Sequence, residues 1–183
     1  MTLQNEDLHF WNDDGNSHCV NMCFESNDRN AQLTVIYKSG NCSIEAGSVV
    51  VRWSAHYEPP NDYDPGNAAI CQGRIDLEIA SLRGIGLGSL LMQPLINWIK
   101  KHTEVPIQPI NLEGRDAKTI EARDIRNGFY EKLGFVFDYE EEKSWGESKI
   151  LQSTQLVVPE FKLSNGWHVE PYESKIFIVP ESI

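Results

Sequence analysis

Residues 83–89 read Arg-Gly-Ile-Gly-Leu-Gly-Ser, set between an alternating, strand-like run at 73–79 and an apolar, helix-like run at 90–99. No other stretch constrains the fold as much. Glycines let the backbone turn tightly and bring several N–H groups close to one anion. The helix that follows adds its unpaired first-turn N–H groups and the positive end of its dipole. A strand, a glycine turn and a helix start together make a diphosphate cradle within an α/β arrangement. Spacing excludes two common versions of that cradle. Glycines at 84, 86 and 88 do not fit Gly-x-Gly-x-x-Gly, and no Gly-Lys-Ser/Thr closes the loop as in nucleoside-triphosphate sites.

A second segment, 127–135, reads Asn-Gly-Phe-Tyr-Glu-Lys-Leu-Gly-Phe. Ile125, Phe129 and Leu133 recur at helical spacing and are expected to face a core. Gly134 ends the helix where a left-handed residue is wanted, and a strand is expected from 135. Tyr130 follows core-facing Phe129, which predicts a rim position with its hydroxyl toward a ligand.

The Arg/Gln-x-x-Gly-x-Gly/Ala pattern at 83–88 and the Phe-Tyr-Glu-Lys-Leu-Gly-Phe run at 129–135 resemble the acetyl-CoA-binding segments of the GNAT superfamily of N-acetyltransferases, in that superfamily's order. The resemblance covers 73–137, the expected cofactor-binding core, and the flanks diverge. It implies a mixed, mostly antiparallel central sheet flanked by helices. It also implies acetyl-CoA held by Arg83, Gly84, Ile85, Gly86, Leu87, Gly88 and Ser89. A break in strand pairing near Leu77 and Ile79 is implied to expose N–H groups to the thioester and pantetheine. Tyr130 matches the superfamily's usual general acid, and a hydroxyl with an ordinary pKa of about 10 suits protonation of a thiolate. The early-helix asparagine of the superfamily has no match at its expected offset. Asn127, one turn before Tyr130, is the substitute. Arg123 and Arg126 can meet CoA phosphates or pair with nearby acids on the helix surface.

The general base is open to several carboxylates. Glu113, in Ile-Asn-Leu-Glu-Gly-Arg at 110–115, lies in a segment similar to the base-bearing strand of the superfamily's ribosomal-protein alanine acetyltransferases. Gly114 stands where those proteins carry an apolar residue. Glu78 and Asp76 share a face of the cofactor strand if it is regular, and a water relay is a further route. A covalent acyl-cysteine route is disfavoured, because neither motif contains a cysteine.

The chain departs from the superfamily in two places. No amphipathic helix is legible before residue 73, where two usually shape the acceptor site; the N-terminal part reads as strands and loops. Pro94 also falls inside the helix after the glycine turn, which predicts a kink or a later start. The organisation expected is a single domain over 1–183 with a loose arm at 1–16 and strands at 18–24, 31–37, 42–46 and 48–57. In the last of these Val49, Val51, Trp53 and Ala55 share a face. A loop or flap at 58–67 is followed by the cofactor strand, the turn and a helix to about 102. Further strands are expected at 107–113, 135–139, 155–161 and 176–179, with a helix at 119–132.

Length and charge bound the function. The 183 residues suit one domain, and the longest apolar stretch is too short and too polar to span a membrane. The N-terminus lacks the basic-then-apolar plan of a signal peptide, so a cytoplasmic location is expected. A formal charge of −11 repels nucleic acid and anionic membranes and attracts cationic amines, from small molecules or proteins. The acidic run at 140–142 reads as a solvated turn. Four cysteines, at 19, 23, 42 and 71, are expected as free thiols, and the scattered histidines argue against a metal site. Late strands left at an edge allow a homodimer. Two other readings remain: a CoA-binding module that acts through protein contacts without catalysis, and an unrelated phosphate-binding α/β protein.

Overall fold

The computed structural model describes residues 2–70, 78–102 and 104–171. The expectations for Cys71, Asp76 and Leu77, and for a strand at 176–179, lie outside these residues.

Four long strands open the chain as an antiparallel meander: β1 (Thr2–Asn12), β2 (Ser17–Ser26), β3 (Asn30–Gly40) and β4 (Val49–Glu58). The lead-in expected as a loose arm is therefore a full strand. Leu8 and Phe10 are buried on one face of it, the period of two that a half-buried strand requires. On the other face Asn5 and Asp7 each accept a hydrogen bond from the Asn21 amide at 2.6 Å. In β4, Val51, Trp53 and Ala55 are buried together as expected, but Val49 is 38% exposed. The register with β3 shifts between Val35 and Ile36. The extra residue of this bulge, Val50, turns inward and sends Val49 out. Residues 42–46, expected as a strand, form an exposed turn instead.

After the loop, β5 (Asn67–Ile70) pairs with β4. A short 3-10 turn, Ala80–Leu82, precedes α1 (Leu87–Ile99). The helix starts at the glycines and runs unbroken through Pro94, burying Leu91, Met92, Leu95, Ile96 and Ile99 against β3 and β4. The expected strand at 107–113 is split. β6 (Pro106–Ile107) pairs parallel to β5 in the large sheet, whereas β7 (Asn111–Leu112) belongs to a second sheet. Then come α2 (Ile120–Lys132), β8 (Phe137–Glu140), β9 (Trp145–Ser148), β10 (Leu151–Gln152) and β11 (Trp167–Pro171). The large sheet has the order β10-β6-β5-β4-β3-β2-β1-β11, and the small one β7-β9-β8. The protein is thus mixed α/β, with a large, mostly antiparallel sheet and, among the described residues, two α-helices.

The strand expected at 155–161 is not one. Residues 153–166 form a strap of a 3-10 turn and irregular chain that runs along α1 from its end to its start. Lys100 Nζ donates to the carbonyls of Thr154 (3.0 Å) and Leu156 (2.6 Å), and Gln93 Nε2 to that of Pro159 (2.9 Å). The Ser164 N–H then reaches the Ile85 carbonyl at 3.0 Å. Side chains take the carbonyls that a sheet ladder would otherwise have paired.

Candidate functional site

The glycine turn alternates between anchored and open positions. Ile85 and Leu87 are buried in the core, while Arg83 and Gly84 are exposed. Gly84 (φ 72°) and Gly86 (φ 98°) are left-handed, and Gly86 is the N-cap of α1. That conformation favours glycine. The Ser89 N–H closes on the Gly86 carbonyl at 3.0 Å. Gly88 is tight for a different reason: a Cβ there would lie 3.1 Å from the Phe129 ring.

Phe129 belongs to α2, so the two segments singled out in the sequence meet in space. Ile125 reaches to within 3.9 Å of where a Gly84 Cβ would stand. Trp53 of β4 completes the floor, its ring 6.0 Å from Phe129 and its indole Nε1 buried with no hydrogen-bond partner among the described residues. Trp53 was legible only as a core residue; its place beneath Gly88 needs the tertiary fold.

α2 is well delimited. Thr119 Oγ1 accepts from the Ala122 N–H at 3.1 Å. Left-handed Gly134 ends the helix, with N–H groups of Gly134 and Phe135 returning to the carbonyls of Glu131 and Tyr130. Its buried face meets the expectation at Leu133 and Phe129 and departs from it at Ile125. Asn127, Tyr130 and Leu133 point inward, whereas Ile125 is 54% exposed at the rim of the glycine turn. Tyr130 is accordingly not a rim residue. It is 8% exposed, packed with Phe129, Phe135 and Phe137 at ring distances of 5.2, 6.2 and 6.2 Å.

Asn127 and Arg126 are committed to the protein itself. The Asn127 amide donates to the Lys143 carbonyl (3.0 Å) and accepts from Arg126 Nε (3.0 Å). Arg126 also donates to the carbonyls of Glu113 (2.7 Å) and Ser144 (3.1 Å), and Arg123 to that of Glu142 (3.1 Å). These bonds hold the β8–β9 turn, where Glu141, Glu142 and Lys143 are all left-handed. The two arginines therefore serve carbonyls rather than the acidic side chains expected of surface pairs. Burial lowers the Arg126 pKa from its usual value, and nearby Asp116 opposes that shift.

The carboxylates are dispersed. Glu113, partly exposed at the end of β7, pairs with Arg115 Nε at 2.5 Å. Trp145 lies over the adjacent Gly114, its Nε1 3.1 Å from a Cβ built there. Glu78 is exposed, and its N–H donates to the Val50 carbonyl at 3.3 Å. Ile79 is buried in the core.

The strap, which the sequence reading missed, crosses this site. A Cβ on Gly86 would come 2.5 Å from the Lys162 carbonyl oxygen. Lys162 itself is exposed beside the turn. Cys19, Cys23 and Cys42 are free thiols. Among the described residues no group of three or more His, Cys, Asp or Glu side chains could hold a metal ion, and no helix is long and apolar enough to cross a membrane. No family model, curated protein or solved structure matches the chain.

Proposed function

We propose that the chain binds acetyl-CoA at the turn 83–89 and transfers its acetyl group to a primary amine by direct attack in a ternary complex. One observation carries this reading: the two segments resembling the GNAT superfamily, far apart in sequence, lie against each other, with Ile125 and Phe129 of α2 beside Gly84 and Gly88. Acetyl-CoA supplies an acetyl thioester. N–H groups at the start of α1 bind its diphosphate. Glu113 or Glu78, directly or through water, takes the amine proton, and for Glu113 this requires Arg115 to swing aside. Tyr130 gives a proton to the departing thiolate.

The burial of Tyr130 and the Glu113–Arg115 pair favour a second reading, a CoA-binding module that does not catalyse. Both are tested by calorimetric titration with acetyl-CoA, followed by thiol release in the presence of amines. Gly86→Glu is a poor control, since any side chain at 86 strikes the strap backbone. Ser89→Glu is better: a carboxylate in the first turn favours the helix yet repels a phosphate. The expected result is micromolar binding to the wild type, weakened at least about tenfold, or roughly 1.4 kcal/mol, in Ser89→Glu. Tyr130→Phe should abolish turnover and spare binding. Binding without turnover on any amine selects the second reading, and no binding removes both.

A further inference from the structure

His18 on β2 and Ser81 in the 3-10 turn are distant in sequence, yet His18 Nε2 lies 2.8 Å from Ser81 Oγ. The imidazole is 1% exposed. Its ring is fixed by Trp167, stacked at 5.9 Å and 17°, and by Tyr37, tilted at 6.3 Å. Bare backbone closes its other edge, since a Cβ on Gly40 would come 2.8 Å from Nδ1. Nδ1 is buried with no hydrogen-bond partner among the described residues. An unpaired buried ring nitrogen carries a desolvation cost that an apolar side chain in the same slot would not. Ser81 is exposed. An exposed residue thus backs onto a ring that stays dry.

We propose that Ser81 and His18 form a nucleophilic pair that accepts acyl groups from activated esters and thioesters. Ser81 Oγ attacks the acyl carbon while its proton passes to His18 Nε2. The bond from that carbon to the alkoxide or thiolate breaks, and the leaving group takes the proton from Nε2. Water then attacks the acyl-serine, with Nε2 again accepting and returning a proton, which releases a carboxylic acid and restores the serine. The pair works in the tautomer with its proton on Nδ1, which leaves Nε2 free to accept from the hydroxyl. Neither residue belongs to the turn 83–89 or to α2, so this activity stands or falls apart from acetyl transfer.

The test exposes the full chain to an alkyl fluorophosphonate, which loses fluoride as the oxygen–phosphorus bond forms, and locates the adduct by mass spectrometry. One adduct on Ser81 is expected, none in Ser81→Ala, and labelling at least tenfold slower in His18→Gln, whose amide cannot take the proton. Ser81 is exposed, so its replacement removes no core packing and takes away only the hydrogen bond to His18 Nε2. His18→Gln alters buried packing, and the imidazole nitrogen shifts of the wild type supply the second readout: a protonated Nδ1 and a bare Nε2. Unlabelled wild type, undiminished labelling in either folded variant, or a proton on Nε2 overturns the proposal.

Discussion

Gly84 and Gly86 sit two residues apart with the same left-handed backbone, yet different forces hold them. At Gly84 an added Cβ meets only the tip of Ile125, at 3.9 Å. At Gly86 it meets a backbone oxygen at 2.5 Å. Replacement of Gly84 by alanine should therefore lose about 1–2 kcal/mol, the ordinary cost of a left-handed non-glycine residue. Replacement of Gly86 should lose clearly more, about 3–4 kcal/mol, because the strap must also move. Denaturant midpoints of the two variants check the difference, and equal losses would show that the Lys162 contact is slack. The glycine pattern was readable in the chain. The reason for its second glycine was not, since that reason lies 76 residues downstream in Lys162.

Arg126 makes α2, β7 and the β8–β9 turn one mechanical unit. Its guanidinium serves carbonyls on Glu113 and Ser144 and the Asn127 side chain. Arg126→Gln should cost about 1.5–3 kcal/mol, the range for hydrogen bonds that involve a charged group. Hydrogen exchange should localise the loss, with protection falling in β8 and β9 while β1–β4 are unchanged. The elements best read from sequence were those whose signals are local. Thr119 and Gly134 bracket α2, and alternation marks β2, β3 and β4. The errors were of two kinds. Apolar 155–161 has strand-like composition, but Lys100 and Gln93 take carbonyls that a ladder needs. Hydrophobicity assigned the inward face of α2 to Ile125, Phe129 and Leu133; Leu133 and Phe129 keep that place, but hydrogen bonds to the turn draw Asn127 inside and Ile125 faces the glycine turn. Polar partners chose the face, and hydropathy does not record partners.

At the scale of the whole molecule, two imidazoles tie stability to pH. Burial lowers the pKa of both His18 and His102, and for His102 Lys101 adds to the shift while Asp28 opposes it. The unfolded chain therefore takes up protons before the native one does. Stability from this source is present above about pH 6.5 and is lost as pH falls through the window beneath it. Thermal midpoints should drop between about pH 7 and pH 5, and less steeply in His102→Gln; an unchanged slope would acquit that ring. The sheet order has a further consequence, in time rather than in energy. β11 closes the edge of β1 along Leu8–Asn12, and the described strands nearest the two chain ends thus become neighbours. At ribosomal rates of about 5–20 residues per second, the roughly 155 residues between them take on the order of ten to thirty seconds to synthesise. Through that interval the nascent meander presents an unpaired strand edge, which is the surface that holdase chaperones and neighbouring nascent chains compete to cover.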